Sequence, residues 1–158
     1  MNEYMKIAKE LSEDNLKTNV GGPFGACIVK DGKIIGKGSN HVLANNDPTA
    51  HAEVTAIRDA CKNINSYDLS GCEIYTSCYP CPMCLSAIIW SNIKKCYYGN
   101  TKEDAAAIGF RDDFIYDYIN NSDNESNGSD TLELQSMDRD ETIKAFNDFS
   151  NKEDKTIY

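Results

Sequence analysis

The residues of this chain best equipped for chemistry are His51, Cys81 and Cys84, with Glu53 beside the first of them. They lie in two short segments, Pro48-Thr49-Ala50-His51-Ala52-Glu53 and Ser77-Cys78-Tyr79-Pro80-Cys81-Pro82-Met83-Cys84. An imidazole and two thiolates are one ligand short of a closed tetrahedral zinc site, which leaves a position open for water. Glu53 stands next to a ligand without being needed as one. A metal with an open position and a spare carboxylate near by can activate water and move its proton.

The spacing supports this ligand set. Cys81 and Cys84 are three apart at a helix start, so they fall on one face and can reach one metal. Pro80 and Pro82 suit the edge and first turn of a helix, where a missing N–H costs little. His51 follows the loop Asn46-Asp47-Pro48-Thr49 and precedes a helical start, Val54-Thr55-Ala56-Ile57. Two helix N-termini are therefore expected to point at the metal, their dipoles stabilising the thiolates. A structural zinc site would want a fourth Cys or His near by, most often in a second Cys-x-x-Cys pair. Cys27, Cys61, Cys72, Cys78 and Cys96 form no such pair, and a structural site has no use for Glu53.

The elements that must position these groups follow from hydrophobic period and turn residues. Tyr4, Ile7, Ala8 and Leu11 recur at helical spacing and predict a helix from Asn2 to Lys17, broken by Gly21-Gly22-Pro23. Phe24–Lys30 reads as a buried strand, Asp31-Gly32 as a hairpin turn and Lys33–Ser39 as the antiparallel partner. A helix from His51 to Ile64 presents Val54, Ile57, Ala60 and Cys61. Strand Cys72–Thr76, helix Cys81–Trp90, strand Ile93–Gly99 and a short helix Asp104–Ile108 follow. Gly109–Ile115 is a loop entering a helix, residues 120–130 form a polar low-complexity loop, Thr131–Leu134 is a fifth strand, and Asp140–Phe149 is a helix. Helices alternating with strands predict an α/β fold, a three-layer α/β/α sandwich around a central five-stranded mixed sheet.

The 158 residues fit a single domain, 1–158. Met1–Lys9 is polar with no apolar run behind it, so no cleavable signal is expected. No apolar run approaches the ~20 residues of a membrane helix, and no membrane partner is expected. Seven cysteines, two of them claimed by metal, argue for thiols in a reducing compartment and a cytoplasmic chain. Residues 1–102 carry eleven Lys/Arg against ten Asp/Glu, whereas residues 103–158 carry five against fifteen, within a net charge of −9. Nucleic-acid affinity comes largely from Lys and Arg neutralising phosphates. With no run of either residue, a nucleic-acid partner is not expected.

The pattern His51-x-Glu53 followed by Pro80-Cys81-x-x-Cys84 resembles the cytidine deaminase-like superfamily of zinc deaminases. More narrowly, the chain is similar over essentially its full length to the bacterial guanine deaminases. Gly21–Ala26, Asn46–Arg58, Tyr75–Cys78, Cys81–Cys84, Gly109-Phe110, Asp112 and Phe114-Ile115-Tyr116 carry that likeness. The resemblance implies one zinc per subunit on His51, Cys81 and Cys84, and hydrolytic deamination of guanine to xanthine, with water activated by zinc attacking C2. It implies that Glu53 shuttles protons and that Asp112 recognises the guanine edge and assists at the leaving amino group. It also implies that Asn40 hydrogen-bonds the purine, Phe24 packs on the ring, and the backbone N–H of Ala52 meets its polar edge.

The same resemblance implies a homodimer that exchanges its C-terminal segment, about 131–158, so that Tyr158 closes the partner's site. One departure stands out: Tyr79 occupies a place where such enzymes carry Glu. On the zinc motif alone, a tRNA adenosine deaminase, a deaminase of cytosine or of a nucleoside, and a non-catalytic zinc-stabilised interaction domain remain open.

Overall fold

The computed structural model describes residues 1–121 and 130–158; the greater part of the expected 120–130 loop lies outside them. The chain divides into two compact units, Met1–Asp112 and Asp113–Tyr158.

The first unit is built on a four-stranded mixed sheet of order β2-β1-β3-β4. Strand β1 (Gly25–Lys30) pairs antiparallel with β2 (Lys33–Ser39) and with β3 (Glu73–Cys78), while β4 (Lys95–Asn100) lies parallel to β3. The β1–β2 hairpin turns at Asp31 and Gly32, both at positive φ (49° and 74°), as a tight primed turn demands.

Helix α1 (Glu3–Asp14) is capped by Asn2, whose Oδ1 accepts from the backbone N–H groups of Tyr4 and Met5. It packs Tyr4, Met5 and Ile7 onto Cys27, Val29 and Tyr75 on one face of the sheet. The alternate strand residues Ala26, Ile28 and Ile74 face the other way, onto α3 (Ala52–Ile64) and Ile88 of α4 (Pro82–Trp90). This period-2 division puts helices on both faces, the expected three layers.

A short helix, α2 (Val42–Asn45), sits between β2 and α3, and α5 (Lys102–Ala107) follows β4 behind a Thr101–Asp104 capping box. Close approach decides where α3 lies. Ala52, Ala56 and Ala60 form a stripe along it, and Gly36 and Gly38 of β2 face that stripe. A Cβ on Gly38 would lie 2.5 Å from Ala56 N and 2.6 Å from Ala52 O. Backbone meets backbone there, which pins the N-terminus of α3 against the sheet.

The second unit contains α6 (Asp113–Asn120) and α7 (Arg139–Asn151). The expected fifth strand, Thr131–Leu134, is not formed: the sheet of the described residues has four strands. Leu132 and Leu134 are exposed. Alternating apolar residues signal a strand only when they join a ladder, and the ladder of the described residues consists of β1 to β4. Among the described residues, no helix is long and apolar enough to cross a membrane.

Candidate metal centre and active site

His51 and Cys81 occupy equivalent positions, each the residue immediately before a helix: His51 caps α3 and Cys81 caps α4. Both are extended (φ −65°, with ψ 160° and 168°), and their carbonyls accept the first helical bonds, from Thr55 N and Leu85 N. Pro82 fills the first position of α4, and Cys84 stands in its first turn. Two helix N-termini thus converge on one point, as the spacing predicts.

The geometry passes a direct test for zinc. Nδ1 of His51 lies 3.5 Å from Cys81 Sγ and 3.6 Å from Cys84 Sγ. Ligands at zinc–nitrogen and zinc–sulfur bond lengths in a tetrahedron stand about 3.6 Å apart. All three ligand atoms lie within 4.8 Å of one another, and among the described residues this is the one group that the geometry offers a metal. No fourth protein ligand among the described residues closes it, which is the catalytic form of the site.

Electrostatics within the triangle favour a cation. The hydrogen bond from Cys84, then that from His51, pulls the Cys81 thiol down to about 4. The same contact with Cys81, and burial, push Cys84 the other way, while the hydrogen bond to Cys81 raises His51. Without a cation the pair holds one negative charge; a divalent ion stabilises both thiolates at once.

Glu53, in the first turn of α3, is only 6% exposed. Its Oε1 accepts a 3.0 Å hydrogen bond from Thr76 Oγ1 on β3. Burial raises its pKa, opposed in part by that bond. A carboxyl biased toward holding a proton and fixed in one orientation suits a group that both accepts and returns one.

The triangle opens into a cavity of about 390 Å³. Of the residues anticipated from sequence, Phe24, Asn40, His51, Glu53, Cys81 and Asp112 line it. Cys84 is buried behind the lining, and Ala52 is buried as the first residue of α3. Tyr158 belongs to the second unit and is exposed.

The cavity also draws in residues that sequence reasoning did not assign to it. Phe110 meets the Phe24 ring edge-on, with centroids 5.1 Å apart at 89°. Gly22, Val42, Leu43, Pro48, Cys78, Tyr79, Ala105 and Arg111 complete the wall.

Asn15 stands outside the lining but braces it. Its buried Nδ2 donates to Gly22 O (2.8 Å) and to Asn40 O (2.9 Å), tying together the two loops that carry Phe24 and Asn40. Ser77 Oγ accepts from Gly25 N, fixing the start of β1 beside Phe24. Asn15 carries no signal in sequence: the apolar period runs it into the Asn2–Lys17 helix, whereas α1 ends at Asp14 and leaves Asn15 to open a 3₁₀ turn. Asn40 itself is oriented: the Val42 N–H can only donate, so it meets Oδ1 (3.1 Å) and leaves the Nδ2 donor as the other end of the carboxamide. A Cβ on Gly21 would collide with the same Oδ1, which reserves that position for glycine.

Three ligands at tetrahedral spacing, an open fourth position and a buried carboxylate beside it define a hydrolytic zinc centre rather than a structural one. The chain belongs to the zinc-dependent cytidine and deoxycytidylate deaminase family: residues 1–100 match the family profile described as the cytidine and deoxycytidylate deaminase zinc-binding region.

Among curated relatives, it is 54% identical over 116 residues to the guanine deaminase of Bacillus subtilis, covering 73% of this chain and 74% of that one. It is 43% identical over 97 residues to the tRNA-specific adenosine deaminase of Haemophilus influenzae, covering 61% and 56%. The X-ray structure of Bacillus subtilis guanine deaminase superposes with a TM-score of 0.92 at 44% identity, covering 100% of this chain and 99% of that one. The guanine deaminase structure from Nitrosomonas europaea gives 0.65 at 34% identity, covering 69% and 63%.

Proposed function

We propose that this chain is a zinc-dependent aminohydrolase that converts guanine and water to xanthine and ammonia. The single observation that carries the choice of base is the full-length likeness to the Bacillus subtilis guanine deaminase, which extends beyond the zinc region shared with the tRNA enzymes. Zinc held by His51, Cys81 and Cys84 would polarise a water and lower its pKa from about 15.7 toward about 7.

The chain's own groups do the rest. Glu53 takes a proton at its carboxylate and delivers it to the ring nitrogen beside C2, then assists departure of the amino group as ammonia. Asn40 offers its Nδ2 to an acceptor on the purine, and Phe24, braced by Phe110, packs on the ring. The backbone N–H of Ala52, at the positive end of α3, meets the polar edge of the base. The Asp112 carboxylate pairs with N–H donors of the guanine edge and assists at the leaving amino group.

The quaternary reading rests on the second unit. Neither α6 nor α7 buries any residue, and Ile119, Met137, Phe146, Ile157 and Tyr158 are all more than 60% exposed. Such apolar surface needs a cover, and a second copy supplies one: a homodimer that exchanges residues 131–158 and brings Tyr158 over the partner's cavity. The seven cysteines stand as free thiols, which favours a cytoplasmic location. A tRNA substrate is disfavoured by the net charge of −9.

The test is ammonia release by the zinc-loaded protein on guanine, guanosine, adenine, cytosine, cytidine and an adenosine-containing anticodon stem-loop. Turnover of guanine with the others inert is expected. Turnover of the stem-loop or a pyrimidine with guanine inert would overturn the choice of base and leave the zinc chemistry standing.

A further inference from the structure

Tyr79 has an unusual setting for a residue next to a metal loop. It follows the last residue of β3, and its backbone N–H donates to Asn100 O (2.8 Å), which locks the chain there to the end of β4. Its ring is held from two directions. Tyr98 meets it at 5.0 Å and 78°, and Lys102 Nζ lies over its face, 5.0 Å from the centroid. Lys102 is in turn the first residue of α5, a helix fixed by the Thr101–Asp104 box. The side chain is half-buried and lines the same cavity as Phe24, Asn40 and Glu53. Among the described residues, its hydroxyl makes no hydrogen bond.

A ring clamped in one orientation at a cavity wall, with its polar end uncommitted, is preorganised to bind rather than to pack. We propose that Tyr79 is a substrate-binding and specificity-determining residue. Its ring forms a second aromatic wall of the base cavity, distinct from the Phe24–Phe110 pair, and its hydroxyl contacts the bound purine. The inference deepens the guanine reading and rests on it. Lys102 acts through Tyr79 as a positioning residue: the cation fixes the ring by its attraction to the π-face. The binding penalty of ordering the aromatic side chain is thereby met before substrate arrives.

The test is steady-state kinetics and zinc content of the full-length protein, as wild type and as Tyr79→Ala, Tyr79→Phe, Lys102→Met and the Tyr79→Ala/Lys102→Met double variant, over the purine panel. Direct calorimetric binding of guanine accompanies it. Base–aromatic contacts removed by alanine predict a rise in KM of about 5- to 100-fold for Tyr79→Ala, with kcat and zinc content within about twofold of wild type. Tyr79→Phe separates ring from hydroxyl and should raise KM by a few-fold. Lys102→Met should raise KM a few-fold in the wild-type background and not at all in the Tyr79→Ala background, because its effect runs through the ring.

An unchanged KM and Kd in Tyr79→Ala would overturn the proposal. So would loss of zinc or of kcat with KM unmoved, since Tyr79 would then serve only the metal loop. Wild-type turnover separates the two ideas. If guanine is inert with wild type, the function reading fails, and the binding arm, run on whichever base the panel shows to be turned over, still decides the role of Tyr79.

Discussion

Thr76 Oγ1 donates to Glu53 Oε1 across 3.0 Å, joining the central strand β3 to the first turn of α3 in the buried floor of the cavity. The bond holds the carboxylate in one orientation, and it opposes the upward push that burial exerts on its pKa. Glu53→Ala should therefore keep its zinc and lose about 10²- to 10⁴-fold in kcat, the usual worth of a positioned acid–base group. Thr76→Val should cost about tenfold, the scale of one hydrogen bond to a charged group. It should also shift the acidic limb of the rate profile to higher pH, because a bond that stabilises the carboxylate has gone. Full turnover by Glu53→Ala would remove the residue from the mechanism.

The backbone contact between β2 and α3 makes a stability prediction. Gly38→Ala places a methyl against Ala56 N and Ala52 O, neither of which is a flexible side-chain end. Overpacking of this kind costs roughly 1–3 kcal/mol, and a thermal melt should fall by several degrees. Displacing α3 also displaces His51, so zinc affinity should fall in the same variant. A melt and a zinc affinity both equal to wild type would mean that the sheet yields without moving the helix.

Zinc binding should be coupled to protons. In the metal-free chain Cys81 is held near 4 and is already a thiolate at neutral pH, whereas contact with Cys81 keeps Cys84 protonated and raises His51. Binding must then expel the Cys84 proton and a share of the His51 proton. Affinity should fall as pH falls, by about tenfold per unit for each proton displaced. Calorimetry in buffers of different ionisation enthalpy reads the proton count directly; a count of zero would contradict the assignment. Chelation should abolish activity and restoring zinc should recover it.

The proposed exchange of the tail predicts complementation between two inactive variants. Deletion of Tyr158 and His51→Ala should each give inactive protein, the first with zinc and the second without. Mixed dimers would contain one complete site, with His51 from one subunit and Tyr158 from the other. Activity should therefore reappear when the two are co-expressed. No recovery, in dimers shown to be mixed, would assign the tail to its own subunit.

The ligands, the hairpin and the two metal helices were legible because their signals are local. Cys81 and Cys84 are one helical turn apart, Pro82 marks a first turn, and Asp31-Gly32 supplies the positive φ of a tight turn. Such features depend on backbone sterics and on neighbours within a few residues. Thr131–Leu134 shows the limit of this reading: its alternation is equally local, but a strand exists only within a ladder, and the described sheet is β2-β1-β3-β4.

What the tertiary structure alone decided are the relationships between residues far apart in the chain. Thr76 reaches Glu53, Asn15 bridges Gly22 and Asn40, Gly38 admits the alanine stripe of α3, and Lys102 and Tyr98 hold Tyr79 at the cavity wall. None of these pairs has a periodicity or a spacing to betray it. Short-range sterics and ligand chemistry are written into the order of residues and determine that this chain holds a water-activating metal. Which side chains surround that metal, and so which substrate it meets, is a consequence of packing that exists only once the sheet and helices have closed on one another.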